Sequence, residues 1–100
     1  MLTSKQRAQL RAMANGLDAI FQIGKGGKND QLVRQLDETL EVRELIKVTV
    51  LESAPCDVRE VAHEIAGEIG ADVVQVIGSK FILYRASREN PKIELIRAKR

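Results

Sequence analysis

The tetrapeptide Gly24-Lys25-Gly26-Gly27 limits what this chain can become more than any other stretch. It separates an apolar, alternating run at residues 20–23 from a helix-like pattern that begins at Asn29. Period-two alternation belongs to a strand and recurrence at three and four to a helix, so the glycines must turn a strand into a helix within a few residues. Glycine permits positive φ and close approach of another backbone, and the first amides of the following helix have no intrahelical acceptor. Such a junction favours anions, phosphate above all. Lys25 and Lys28 add mobile positive charge there, and the simplest reading is a phosphate-contacting loop.

Two nucleotide-enzyme patterns fail on spacing. The dinucleotide fingerprint needs a third glycine where this chain has Asn29, and the P-loop needs Gly-Lys-Ser/Thr after four spacer residues. What remains is Gly-x-x-Gly, the spacing with which KH-type modules clamp a nucleic-acid backbone. The plainer alternative is a glycine-rich turn with no ligand. Asp30, which stabilises the helix start, competes for the same amides.

Around this loop the pattern predicts seven elements. Thr3 with Gln6 reads as a capping box, and Leu10, Met13, Ala14 and Leu17 recur at helical spacing, with Asn15-Gly16 as the stop. The other side of that helix carries Lys5, Arg7 and Arg11, a basic row that extends a phosphate-binding surface if the helix packs near the loop. Residues 19–23 form the first strand. Asn29 or Asp30 caps a second helix with Leu32, Val33, Leu36 and Leu40 on one side. Residues 45–51 read as a second strand with Ile46, Val48 and Val50 on one face and Lys47 and Thr49 on the other. Asp57 with Glu60 opens a third helix whose stripe is Val58, Val61, Ala62, Ile65 and Ile69, closed by Gly70. Residues 71–77 and 80–85 are the last two strands, joined by Gly78-Ser79 in a II′ hairpin turn. Helix-separated strands imply a parallel pair and the hairpin an antiparallel one. The predicted class is α/β, of the α+β two-layer type, with αβαβαββ order and a mixed four-stranded sheet covered by helices.

One hundred residues make one domain, here expected over residues 1–86, with a basic C-terminal tail at 87–100 that is either solvated or orders on RNA. A single cysteine, Cys56, cannot form an internal disulfide, the N-terminus lacks a leader-like apolar run, and no stretch approaches the ~20 apolar residues of a membrane span. A cytoplasmic location is expected. The net charge of +2 hides a segregation: residues 1–28 hold five basic and one acidic residue, residues 29–79 four and eleven, and residues 80–100 seven and two. Basic ends around an acidic middle suit a protein with one face toward a polyanion.

Catalysis has little to work with. His63 is the only histidine and lies on the polar side of the third helix, and no base partner is apparent for Cys56. No enzyme activity, metal or cofactor is expected. Phe21, Phe81 and Tyr84 are the only aromatics and all fall in strands, so a base-stacking platform is unsupported. Binding should rest on phosphates, 2′-hydroxyls and RNA shape.

With this element order and glycine loop, the chain closely resembles the CRM domain, the chloroplast RNA splicing and ribosome maturation family, and is most similar to its single-domain bacterial YhbY-like members. Further matching stretches are Leu2-Thr3-x-Lys5-Gln6-Arg7, Arg43-Glu44-Leu45-Ile46-Lys47-Val48, and Val74-Gln75-Val76-Ile77-Gly78 through Leu83-Tyr84-Arg85. The resemblance covers about residues 2–87. It implies a fold similar to the C-terminal domain of translation initiation factor 3 and an RNA-binding role, with precursors of the large ribosomal subunit as the bacterial target. It also implies RNA contact at Gly24, Lys25, Gly26 and Gly27; Lys28 is added by proximity and charge. A competing expectation is a protein-interaction module that docks a basic ribosomal protein or assembly factor through Glu38, Glu41, Glu64 and Glu68.

Overall fold

The computed structural model describes residues 2–97. Its elements run α1 (Ser4–Ala14), β1 (Phe21–Ile23), α2 (Asp30–Arg43), β2 (Leu45–Val50), α3 (Val58–Ile69), β3 (Asp72–Ile77) and β4 (Lys80–Tyr84). This is the expected αβαβαββ order, with each strand trimmed by one or two residues at its ends. The helices start where side chains can satisfy free amides. Thr3 and Gln6 complete both halves of the capping box, Asn29 accepts from the Leu32 N–H at 2.9 Å, and Asp57 accepts from the Glu60 N–H at 3.1 Å. Gly70 ends α3 in the left-handed region at φ 69°, but α2 ends on Glu44 at φ 66°. In the β3–β4 hairpin Gly78 has φ 58° while Ser79 stays out of the left-handed region, as the II′ turn requires.

The sheet order is β1-β2-β4-β3, with β1 parallel to β2 and the other pairs antiparallel. Alternation then sorts its side chains between two cores. Ile23, Ile46, Val48, Val50, Phe81 and Leu83 meet Leu36 and Leu40 of α2 and Val61 and Ile65 of α3. On the other face Leu45, Val74, Ile82 and Tyr84 meet Leu10 and Ala14 of α1. The α+β class and mixed sheet are as expected, and the two-layer description fits the α2/α3 side. The second face adds a partial third layer, because β2 and β4 are apolar on both faces at the end where Leu45 pairs with Tyr84.

Residues 86–97 carry no helix or strand, and most of 87–97 is exposed, but the segment is anchored along its length to α1 and the end of α2. Ile93 and Leu95 pack against the α1 core. The backbone N–H groups of Lys92 and Ile93 donate to Glu44 Oε1, both at 2.7 Å, and that of Ser87 to Glu44 Oε2 at 2.8 Å. Glu41 takes the Ser87 hydroxyl at 2.8 Å and the N–H groups of Arg88 and Glu89. Gln6 and Gln9 bond the backbone at Glu94 and Ile96. An irregular segment needs partners for its amides, and here α1 and the end of α2 provide them. Lys99 and Arg100 of the basic run lie outside the described residues.

Candidate nucleic-acid interface

The glycine loop leaves the sheet where β1 ends and reaches α2 in six residues, 24–29. The Gly27 N–H donates to the Gly24 carbonyl at 2.9 Å, closing a turn, and Gly27 at φ 66° redirects the chain toward the Asn29 cap. The neighbouring connection from β2 to α3 buttresses the turn. A Cβ on Gly27 would stand 3.3 Å from Pro55 Cγ, and one on Gly24 would stand 3.6 Å from Leu51 Cδ1. The tip is built differently. Gly26 is exposed, its φ lies outside the left-handed region, and an added Cβ would meet nothing within 4 Å. The fold therefore needs glycine at 27 but gives no reason for it at 26. Beside the tip runs an open groove of about 330 Å³ lined by Gln22, Gly24, Gly26, Gly27, Asn29 and Gln31, among others.

The structure does not gather the predicted cations into one surface. Lys25 is exposed at the tip, with no side-chain hydrogen bond or ion pair among the described residues. Lys28 instead turns to α3, where its ammonium is bonded to Glu68 and lies 3.8 Å from Glu64, and the Glu68 hydrogen bond raises its pKa. Lys5 and Arg11 are exposed on α1, but Arg7 is folded inward and donates to the Val73 and Val74 carbonyls. Nor does α1 lie beside the loop. It covers Leu45 and Tyr84 on the face opposite α2, whereas the loop follows Ile23, which pairs with Val50. The five steps from Leu45 to Val50 put these ends roughly 17 Å apart. The basic row on α1 does not extend the loop's surface.

Other charged groups named from the sequence are also committed internally. Arg85 is buried and joins Asp37 and the Asp37 and Ile69 carbonyls, leaving its Nε buried without a partner. Of the acidic face, Glu41 holds residues 87–89, and Glu64 and Glu68 face Lys28. His63 is exposed, and Cys56 is half-buried against the larger core. Phe21 and Phe81 belong to that core and Tyr84 to the other, where burial raises its pKa. The residue sequence reasoning overlooked is Glu44. A helix ending without glycine, one position before a buried strand, was the available signal.

A model of the CRS1 / YhbY (CRM) domain matches residues 2–85. The chain is 47% identical over 95 residues to "Probable RNA-binding protein YqeI" of Bacillus subtilis, covering 95% of this chain and 99% of the relative. It is 32% identical over 96 residues to a Haemophilus influenzae protein named "RNA-binding protein", covering 96% of each. The solution structure of the hypothetical protein SAV1595 from Staphylococcus aureus superposes with a TM-score of 0.80 at 50% identity, over 96% of this chain and 100% of that one.

Proposed function

Since the chain belongs to the CRS1 / YhbY (CRM) domain family, we propose that it binds ribosomal RNA during assembly of the large subunit. In this reading the tip of the glycine loop holds a backbone phosphate. The observation that carries it is Gly26. An exposed glycine that neither conformation nor packing demands suits a place where another molecule's backbone comes close. Lys25 beside it supplies charge, and glycine amides fix register without reading bases. Lys28, already paired, contributes less. The docking alternative loses support because Glu41, Glu64 and Glu68 are engaged within the chain.

The test is a salt titration of affinity for a folded ribosomal RNA fragment and for a DNA duplex of equal length. Lys25→Ala should flatten the slope of log affinity against log salt by about 0.7–0.9, the loss of one phosphate contact, and Lys28→Ala by less. Gly26→Asp should weaken RNA binding with thermal stability unchanged. Identical slopes and an unaffected Gly26→Asp variant would return the loop to a purely architectural role.

A further inference from the structure

The half of the sheet that α1 leaves uncovered adjoins the glycine loop. Register places Gln22 opposite Thr49, Thr49 opposite Lys80, and Lys80 opposite Ile77, so these four residues form one row across all four strands. Paired residues point to the same side of a sheet, and this row shares the side of Ile82 and Tyr84. It lies one step beyond the last residues that α1 covers. Gln22, Lys80 and Ile77 are exposed, Ile77 by 56%, and Thr49 is half-buried. Lys47 stands behind the row, its ammonium fixed by the Leu17 carbonyl at 2.9 Å. The acid that register places on this side of the strands is Asp72, which pairs with Tyr84 at the far, α1-covered end. Asp18 and Glu52 lie in the flanking connections. Gln22, on the edge strand, is the residue of the row that also lines the groove beside the glycine loop. From there the groove opens toward Gln31 and Gln35 of α2, so groove and row meet at the β1 edge.

The geometry points to the row Gln22, Thr49, Lys80 and Ile77 as a second RNA contact, one that seats the shallow minor groove of an A-form stem while the glycine loop holds an adjoining phosphate. It rests on the reading of the loop given above. Three features select this occupant. Two cations with no acid between them complement a polyanion. An amide and a hydroxyl offer donors and acceptors for 2′-hydroxyls and base edges, which an RNA helix displays in its wide minor groove. The row spans three strand spacings, roughly 14 Å, without an aromatic ring, since Phe21, Phe81 and Tyr84 are all in cores. An unpaired strand, which such proteins hold by stacking its bases, finds no platform here.

The test compares wild type, Gln22→Ala/Thr49→Val and Gly26→Asp on three probes: an RNA hairpin stem, the same stem in DNA, and an unpaired RNA of equal length. Valine keeps the β-branched shape of Thr49 and removes its hydroxyl, and thermal melts confirm folding. The double variant should lose roughly tenfold affinity for the RNA stem and little for DNA, with an unchanged salt slope. Full affinity of the double variant for the stem, with Gly26→Asp still impaired, would overturn the row and leave the loop reading standing. Tighter wild-type binding to unpaired RNA than to the stem would likewise overturn it. Unimpaired Gly26→Asp would remove the loop reading, and this inference with it.

Discussion

Glu44 is a left-handed residue with a side chain, a conformation that costs about 1–2 kcal/mol where glycine costs nothing. Its carboxylate, 0% exposed, shows what offsets that cost. Burial alone would raise its pKa, but the amides of Ser87, Ile93 and Lys92 outweigh burial and hold it below the usual 4.5. Glu41 is lowered too, chiefly by the Ser87 hydroxyl. A carboxylate with a depressed folded-state pKa stabilises the fold fully above its unfolded value and loses that stabilisation as pH falls through the folded one. The contacts of residues 87–93 should therefore persist down to about pH 5 and weaken below the ordinary carboxylate range. Amide exchange at Ser87, Lys92 and Ile93 measures this, and Glu44→Ala, which removes both accepting oxygens, should expose the same amides already at neutral pH. The glycines give a sharper contrast. Gly27→Ala should destabilise the protein by about 1–2 kcal/mol in urea unfolding, through φ and Pro55. Gly26→Ala should stay within about 0.5 kcal/mol.

Among the elements, the helices were legible because their ends are chemical. Thr3, Asn29, Asp57 and Gly70 each do at a helix terminus what their side chains or backbone favour. The hairpin was legible for the same reason. Residues 87–97 were not, because their order comes from carboxylates and glutamines elsewhere in the chain, which leave no local periodicity. Arg85 escaped similarly: it counts as one more cation in a basic stretch, yet it sits under α2 and α3 and ties both to β4. Arg85→Ala should lower unfolding free energy by about 1–3 kcal/mol, since it leaves the buried Ile69 carbonyl without its donor, whereas the Asp37 side chain, 41% exposed, turns to water. Urea unfolding measures that loss, and RNA affinity at a temperature where the variant is still folded should be unchanged.

At the scale of the whole molecule, segregation of charge along the sequence does not translate into segregation over the surface. Lys28, Lys47, Arg7 and Arg85 all serve internal acceptors, and only register shows that Lys80 shares a face with Gln22. Half of the candidate site, the glycine loop, was readable as a motif. The other half depends on strand order β1-β2-β4-β3, which brings residues 22, 49, 77 and 80 together and which no local pattern encodes. The bonds from Gln6 and Gln9 to residues 94 and 96 link positions 85 to 90 apart, and they have a consequence in time. The chain is made N-terminus first, at about 5–20 residues per second, so α1 is synthesised early but must wait for residues 93–96 before its apolar flank is closed. Contacts this distant form late and slowly. A nascent chain halted before Ile93 would carry the glycine loop complete and the flank of α1 that Ile93 and Leu95 cover still open, visible to chaperones and proteases. Addition of residues 93–96 is therefore the step that hides it.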